Sequence, residues 1–202
     1  MSITCTLYEI LAEEARLLEE KNPEQYYRLR RELQGDVPDE DEAYVGLLSL
    51  MRVMFLNLDM DSLFDPDAPE PGEENSREAT PREICELGEA WHGLHYIVTG
   101  DDLPAHPPEL LDFLQEGGDH WDWGEHGYRF YRPEEVHELS GILNAIPAIL
   151  FKERFQPALM QEVHPKNWET EDLEWLVESF VSLRTFMQHC AENQSGLVIT
   201  LK

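Results

Sequence analysis

Polar and apolar residues alternate over Ser2 to Tyr8, with Ile3, Cys5 and Leu7 set against Ser2, Thr4 and Thr6, a period of two that predicts a short strand. A polar-faced helix is expected to follow, to about Glu20. Asn22-Pro23 then supplies an N-cap with proline at the first helical position, and Gly35 a stop, which predicts a second helix. Ala43 to Leu58 is apolar almost all round and reads as a helix buried on most sides. From Asp59 to Ala79 the chain is acidic and proline-rich with nothing periodic to bury, so a solvated or disordered loop is expected there.

Thr80-Pro81-Arg82-Glu83 has the form of a capping box, and Gly100 that of a stop, so one helix is expected over Pro81 to Val98. Prolines and glycines dominate Asp101 to Trp123 around a short apolar turn at Leu110, Leu111, Phe113 and Leu114. The segment GGDHWDWGEHG reads as a loop and YRFY as a candidate strand. Pro133 opens a helix with Val136, Leu139, Ile142, Leu143 and Ile146 on one face. Thr170 to Ala191 carries the longest helical stripe, Leu173, Leu176, Phe180, Leu183 and Met187, with Gly196 as its stop. The terminal LVITL has strand composition. Helices outnumber strands, and the two terminal strands can pair, which predicts an α+β fold: a mostly helical single domain, residues 1–202, with a small sheet including both terminal strands.

Composition narrows the functional classes. The chain has 202 residues and sets 15 Lys+Arg against 42 Asp+Glu, a formal net charge of −27, which disfavours phosphate backbones and anionic membrane surfaces and favours basic partners. With 42% apolar residues it still has the material for a core. No apolar run approaches the roughly 18 to 20 residues that span a bilayer, and the first residues lack the pattern of a signal peptide, so a cytoplasmic location is expected. Cys5, Cys85 and Cys190 are widely spaced and odd in number, which fits buried thiols better than disulfides or a thiolate zinc site.

Walker, dinucleotide, HExxH and GxSxG motifs are absent, and neither a cofactor nor a bound metal is expected. Asn57-x-Asp59-x-Asp61 starts like a calcium loop but has Ser62 and Ala68 where glycine and glutamate are needed; a nonspecific cation site among Asp59, Asp61, Asp65 and Asp67 is the weaker alternative. The densest chemistry lies in Glu89-Ala90-Trp91-His92-Gly93-Leu94-His95-Tyr96. On a helix Glu89, His92 and either His95 or Tyr96 share a face, as metal ligands or a general acid/base pair require. Candidate catalytic residues are therefore Glu89, His92, His95 and Asp119. Candidate binding residues are Trp91, His92, His95, Tyr96, Gly117, Gly118, Trp121, Trp123 and Tyr128. The competing reading makes Trp91 and His95 core anchors that bond loop backbone. A second Glu-x-x-His, Glu134 and His137, suggests a di-metal bundle, but Glu134 sits where the helix dipole alone favours an acid.

At AWHGLHYIVTG, residues 90 to 100, the chain resembles the YfbM-like bacterial family, domain of unknown function 1877. The resemblance continues through GGDHWDWGEHGYRFYRPEEVHEL, FQPALMQEVHPKNW and LEWLVESFVSLRTFMQHCAENQSGLVITL, and so covers most of the chain. This chain has His164-Pro165 where the family commonly has tyrosine-proline, and Phe155-Gln156-Pro157 where it has an FDP-like triplet. His137 and Trp121 fall outside the shared pattern, and the acidic stretch from Asp59 to Ala79 is peculiar to this chain. The resemblance implies an α+β fold and a cytoplasmic bacterial protein, in a family without an established activity. Two functions are carried forward. The first is a non-enzymatic acidic binding protein, of inhibitor or immunity type, for a basic protein partner. The second is a small-molecule-binding protein or enzyme with a histidine-containing pocket between Trp91 to Tyr96 and Gly117 to Trp123.

Overall fold

The computed structural model describes residues 2–19, 29, 32–33, 82–121 and 128–202. The chain divides into two compact units, Met1–Glu19 with Arg82–Lys202, and Glu20–Pro81. In the second unit Leu29, Glu32 and Leu33 are helical, within the helix expected after Pro23, and Leu29 and Leu33 are buried. The rest of that helix, the apolar helix expected over residues 43–58, the acidic loop at 59–79 and Trp123 lie outside the described residues.

The first unit is an α+β domain built on a five-stranded antiparallel sheet. Its strands are β1 (Cys5–Ile10), β2 (Ile84–Gly88), β3 (Asp119–Trp121), β4 (Tyr128–Tyr131) and β5 (Gly196–Leu201), in the order β2-β1-β5-β4-β3. The two terminal strands pair as their composition predicts, with Cys5 opposite Leu201 and Leu7 opposite Ile199. Thr4 and Lys202 extend the ladder by exchanging two backbone hydrogen bonds of 2.7 and 2.9 Å. α1 (Ala12–Glu19) follows β1 directly.

Cys5, Leu7, Leu197 and Ile199 join a core with α2 (Ala90–Thr99), α3 (Pro133–Ala145), α4 (Ile149–Arg154) and α5 (Asp172–Glu192). The expected stripes are the faces that pack: Val136, Leu139 and Leu143 of α3, and Leu176, Phe180, Leu183 and Met187 of α5, are all buried. The three cysteines are free and buried. Burial pushes the Cys5 and Cys190 thiols up to about 12 and that of Cys85 to about 11, so none supplies a thiolate near neutrality.

The structure corrects the single helix expected over Pro81 to Val98. Ile84–Gly88 is a strand whose Cys85 and Leu87 point inward while Ile84 and Glu86 are exposed. β1 takes up its backbone groups, beginning with Glu9 N–H donating to the Glu83 carbonyl, and Arg82 binds the Glu14 carboxylate through both terminal nitrogens at 2.7 and 2.8 Å. Long-range pairing overrides the local capping signal. Gly88, with φ of 54°, turns the chain, and the helix begins only after Glu89. Strand β3 is a second departure, lying in a segment that reads as loop. A third is the end of α5. The helix stops at Glu192, the reversal falls at Gln194 with φ of 54°, and Gly196 is already the first residue of β5.

Gly93 sets the spacing between α2 and the layer beneath it. A Cβ there would lie 2.6 Å from the Trp168 ring and 2.9 Å from a Leu176 methyl. At an unconstrained helix position, glycine to alanine stabilises by about 1 kcal/mol. Gly93→Ala is instead expected to destabilise by about 1 to 3 kcal/mol through overpacking, read as a lowered midpoint in urea unfolding.

Candidate functional site

α2 brings the predicted residues to the centre of the domain, but mostly to bind the protein itself. Its start follows Glu89, which lies just outside the helix and makes no capping bond. Trp91 is buried, stacks on the His92 ring at 4.9 Å and donates from Nε1 to the Ile3 carbonyl at 2.9 Å. This is the core-anchor arrangement, with an apolar body in the core and a polar tip on loop backbone. Tyr96 is half-buried against the same core.

Both nitrogens of His92 are engaged. The His164 N–H donates to Nδ1 at 3.0 Å, so Nδ1 presents a lone pair and the ring proton sits on Nε2, which donates to the Asp102 carbonyl at 2.7 Å. The neutral ring thus joins two separate loops. Burial holds its pKa below the ordinary 6.5, against a smaller opposing pull from the Asp102 carbonyl. Protonation at Nδ1 would set a proton against the His164 N–H and break that bond.

His95 is fully enclosed. The Asp112 Oδ1 stands 3.8 Å from its Nε2, and neither that carboxylate nor the Leu103 backbone completes a well-formed hydrogen bond to the ring. Burial again keeps the imidazole below its ordinary value, with the Asp112 charge opposing. The carboxylate beside His95 is thus Asp112, and neither Glu89 nor Asp119, the two acids among the catalytic candidates. Asp112 is buried in a 3-10 turn, Leu110–Leu114, where its Oδ2 accepts the Ala105 and Glu109 N–H groups at 3.1 and 2.7 Å. The spacing Glu109 to Asp112 is a capping pattern hidden among prolines. Asp119, by contrast, is exposed in β3 and pairs with Arg132 at 2.7 Å, which also binds Glu19 at 2.8 Å. His164, noted in the sequence only as a departure from the family pattern and not as a site residue, has its ring 6.3 Å from that of Trp91.

The 3-10 turn is clamped from the sheet side as well. Arg129 of β4 is buried and donates to the Phe113 and Leu114 carbonyls at 2.9 and 3.0 Å, and Tyr131 Oη donates to the Glu116 carbonyl at 2.9 Å. Gly118, at φ of 67°, lies so close to Phe130 and Tyr131 that a Cβ would sit 2.7 Å from the Phe130 carbonyl. Gly117 sits beside it against the Tyr131 hydroxyl. These glycines thus admit the domain's own aromatic strand. Trp121 lies in β3 opposite Tyr128, which is buried in β4.

Glu134 and His137 are remote from this cluster. With Arg16, Glu19 and Glu192 they line an open cleft of about 730 Å³ between α1, the start of α3 and the end of α5. Among the described residues no group of three histidine, cysteine, aspartate or glutamate side chains could hold a metal. A further buried carboxylate lies outside the candidate residues. Glu9 of β1 accepts from Ser195 Oγ at 2.7 Å and lies 3.4 Å from His189 Nε2. Burial alone would raise its pKa, but hydrogen bonds from Ser195 and the Glu83 backbone, with the His189 charge, hold it below the ordinary carboxylate value. Because serine and histidine both address the acid and not each other, this is a structural clasp on the turn before β5 and no nucleophilic triad.

Fold and site together define an acidic α+β protein whose histidine-rich helix is built into its own interior. The chain belongs to the DUF1877 family, a domain of unknown function, whose pattern matches residues 1–200. It is similar to YfbM from Escherichia coli, a protein of unknown function, at 12% identity and a TM-score of 0.58 over 98% of this chain and 99% of that one. That likeness concerns the fold alone. No curated protein matches. Among the described residues, no helix is long and apolar enough to cross a membrane.

His92 and His95 are held below 6.5, so the unfolded chain binds the extra protons as pH falls. Their contribution to stability is complete above pH 6.5 and is lost progressively below it. Unfolding midpoints should decline as pH drops from 7 to 5, more shallowly in His95→Leu, which removes one of the two titrating rings. His92→Ala, leaving the His164 N–H and Asp102 carbonyl without the ring, should cost about 2 to 4 kcal/mol at pH 7 by chemical denaturation.

Proposed function

We propose that this chain is a non-enzymatic acidic binding protein, of inhibitor or immunity type, that works in the cytoplasm and covers a basic protein partner. The observation that carries the reading is where its scarce cations are used. Arg129 binds the carbonyls of the 3-10 turn, and Arg154 binds the Ile97 and Val98 carbonyls at 2.8 Å, at the negative end of α2. Arg82 holds Glu14, Arg132 bridges Glu19 and Asp119, and Lys166 pairs with Glu162. The buried carboxylates among the described residues are Glu9, Glu14 and Asp112. These five basic groups therefore serve the protein's own backbone and its own acids, buried Glu14 and surface Glu19, Asp119 and Glu162, while the other carboxylates among the described residues, apart from Glu9 and Asp112, are not buried. Such a field accelerates encounter with a cationic surface and disfavours nucleic acid.

The alternative, an enzyme or small-molecule binder with a histidine pocket, needs an imidazole free to exchange protons with a substrate. His92 has both nitrogens on backbone and His95 is enclosed, which weighs against that use. The cleft of about 730 Å³ lies away from both rings.

The reading is tested by affinity capture of the tagged full chain from lysate of its source, at low and at high salt, with mass spectrometry of retained proteins. A basic protein retained in stoichiometric amount at low salt and released at high salt is the expected result, since screening shortens the reach of exposed charges to about 10 Å at 0.1 M. Recovery of nothing specific, or of an acidic partner indifferent to salt, would contradict it.

A further inference from the structure

We propose that the solvent face of α5 is the docking surface for a basic amphipathic helix of the partner; the proposal rests on the reading of the chain as a binder of a basic protein. At about 100° per residue, Glu171, Glu174 and Glu178 form a stripe along this face. Val177 and Val181, one turn apart, border it on one side and Trp175 on the other. All six are exposed, with Val181 at 46%, Val177 at 38% and Trp175 at 37%.

Helix physics explains only part of this. The dipole favours acids in the first turn, which accounts for Glu171 and Glu174 but not for Glu178 a turn further on. Exposed valines gain nothing from helix propensity, which is low for β-branched residues. Trp175 is also braced by a neighbouring ring. Its ring stacks 5.7 Å from that of Trp168, which is buried and donates to the Val163 carbonyl at 2.9 Å. An aromatic ordered in advance and left partly open is suited to anchor a partner, since little side-chain entropy remains to be lost. The only basic residues on α5 are Arg184, whose guanidinium lies over the Phe180 ring at 5.8 Å, and His189, beside Glu9. The face therefore presents carboxylates between two apolar borders. Its complement is a helix with lysines or arginines along a central line, a cation over the Trp175 ring and aliphatic side chains against the valines.

The probe is a synthetic peptide of lysine and leucine at helical amphipathic spacing, compared with a peptide of equal charge in which serine replaces leucine, both followed by fluorescence anisotropy against the full chain at low ionic strength. The wild type should prefer the amphipathic peptide. E171Q/E174Q/E178Q and, separately, Trp175→Ala should each weaken that binding by about tenfold or more. The equal-charge control E134Q/E138Q/E153Q, on the exposed faces of α3 and α4, should leave it within about twofold. Equal loss in both triple variants, or loss in neither, would overturn the α5 assignment while leaving a basic partner in place. Failure of the wild type to bind either peptide would remove both.

Discussion

The His92 ring, hydrogen-bonded on both sides to backbone, is the constraint around which this domain closes. An imidazole between an N–H donor and a carbonyl acceptor has only one neutral arrangement, and the fold supplies both partners from loops far apart in sequence. Trp91 adds a bond to the strand-leading residue Ile3, so one turn of α2 touches the N-terminal segment, the Asp102 loop and the His164 segment. His95, on the inner side, faces the 3-10 turn that Arg129 ties to the sheet. Constraints run from the sheet through the turn into α2 and on to the Trp168 segment under α5. Gly93 permits the last of these contacts.

This arrangement separates two kinds of polar chemistry. Inside, His92, Arg129 and Asp112 satisfy backbone groups that the irregular segment between α2 and β3 leaves unpaired, as buried polar groups require. Outside, the unneutralised carboxylates remain. Of the residues that draw attention in the sequence as catalytic candidates, His92 bonds two backbone groups, His95 is enclosed and Asp119 pairs with Arg132. The groups we propose as a docking face lie on a helix that reads, in sequence, as ordinary amphipathic packing.

Much of the fold was legible in the chain because its signals are local. The alternation of Cys5 and Leu7, the terminal LVITL run and the stripes of α3 and α5 each describe a face that becomes buried. Strand β2 was not legible, since its capping-box prelude favours helix locally and only pairing with β1 makes it a strand. The site was half legible. Trp91, His92 and His95 share the helix as their spacing implies, yet the role of His92 depends on His164, 72 positions away. Asp112 rather than Asp119 faces His95 because Arg132 engages Asp119 at the sheet edge. Such long-range choices leave no periodic trace.

The central claim is that the imidazole of His92 is a neutral, backbone-bound strut. Nitrogen-15 NMR of the histidine rings across pH 5 to 8 tests it directly. The account predicts a His92 ring protonated on Nε2 alone throughout the folded range, with its titration displaced below 6.5 and coinciding with loss of structure. A His92 ring that exchanges between tautomers, or gains a proton at or above 6.5 while the fold stays intact, would contradict it.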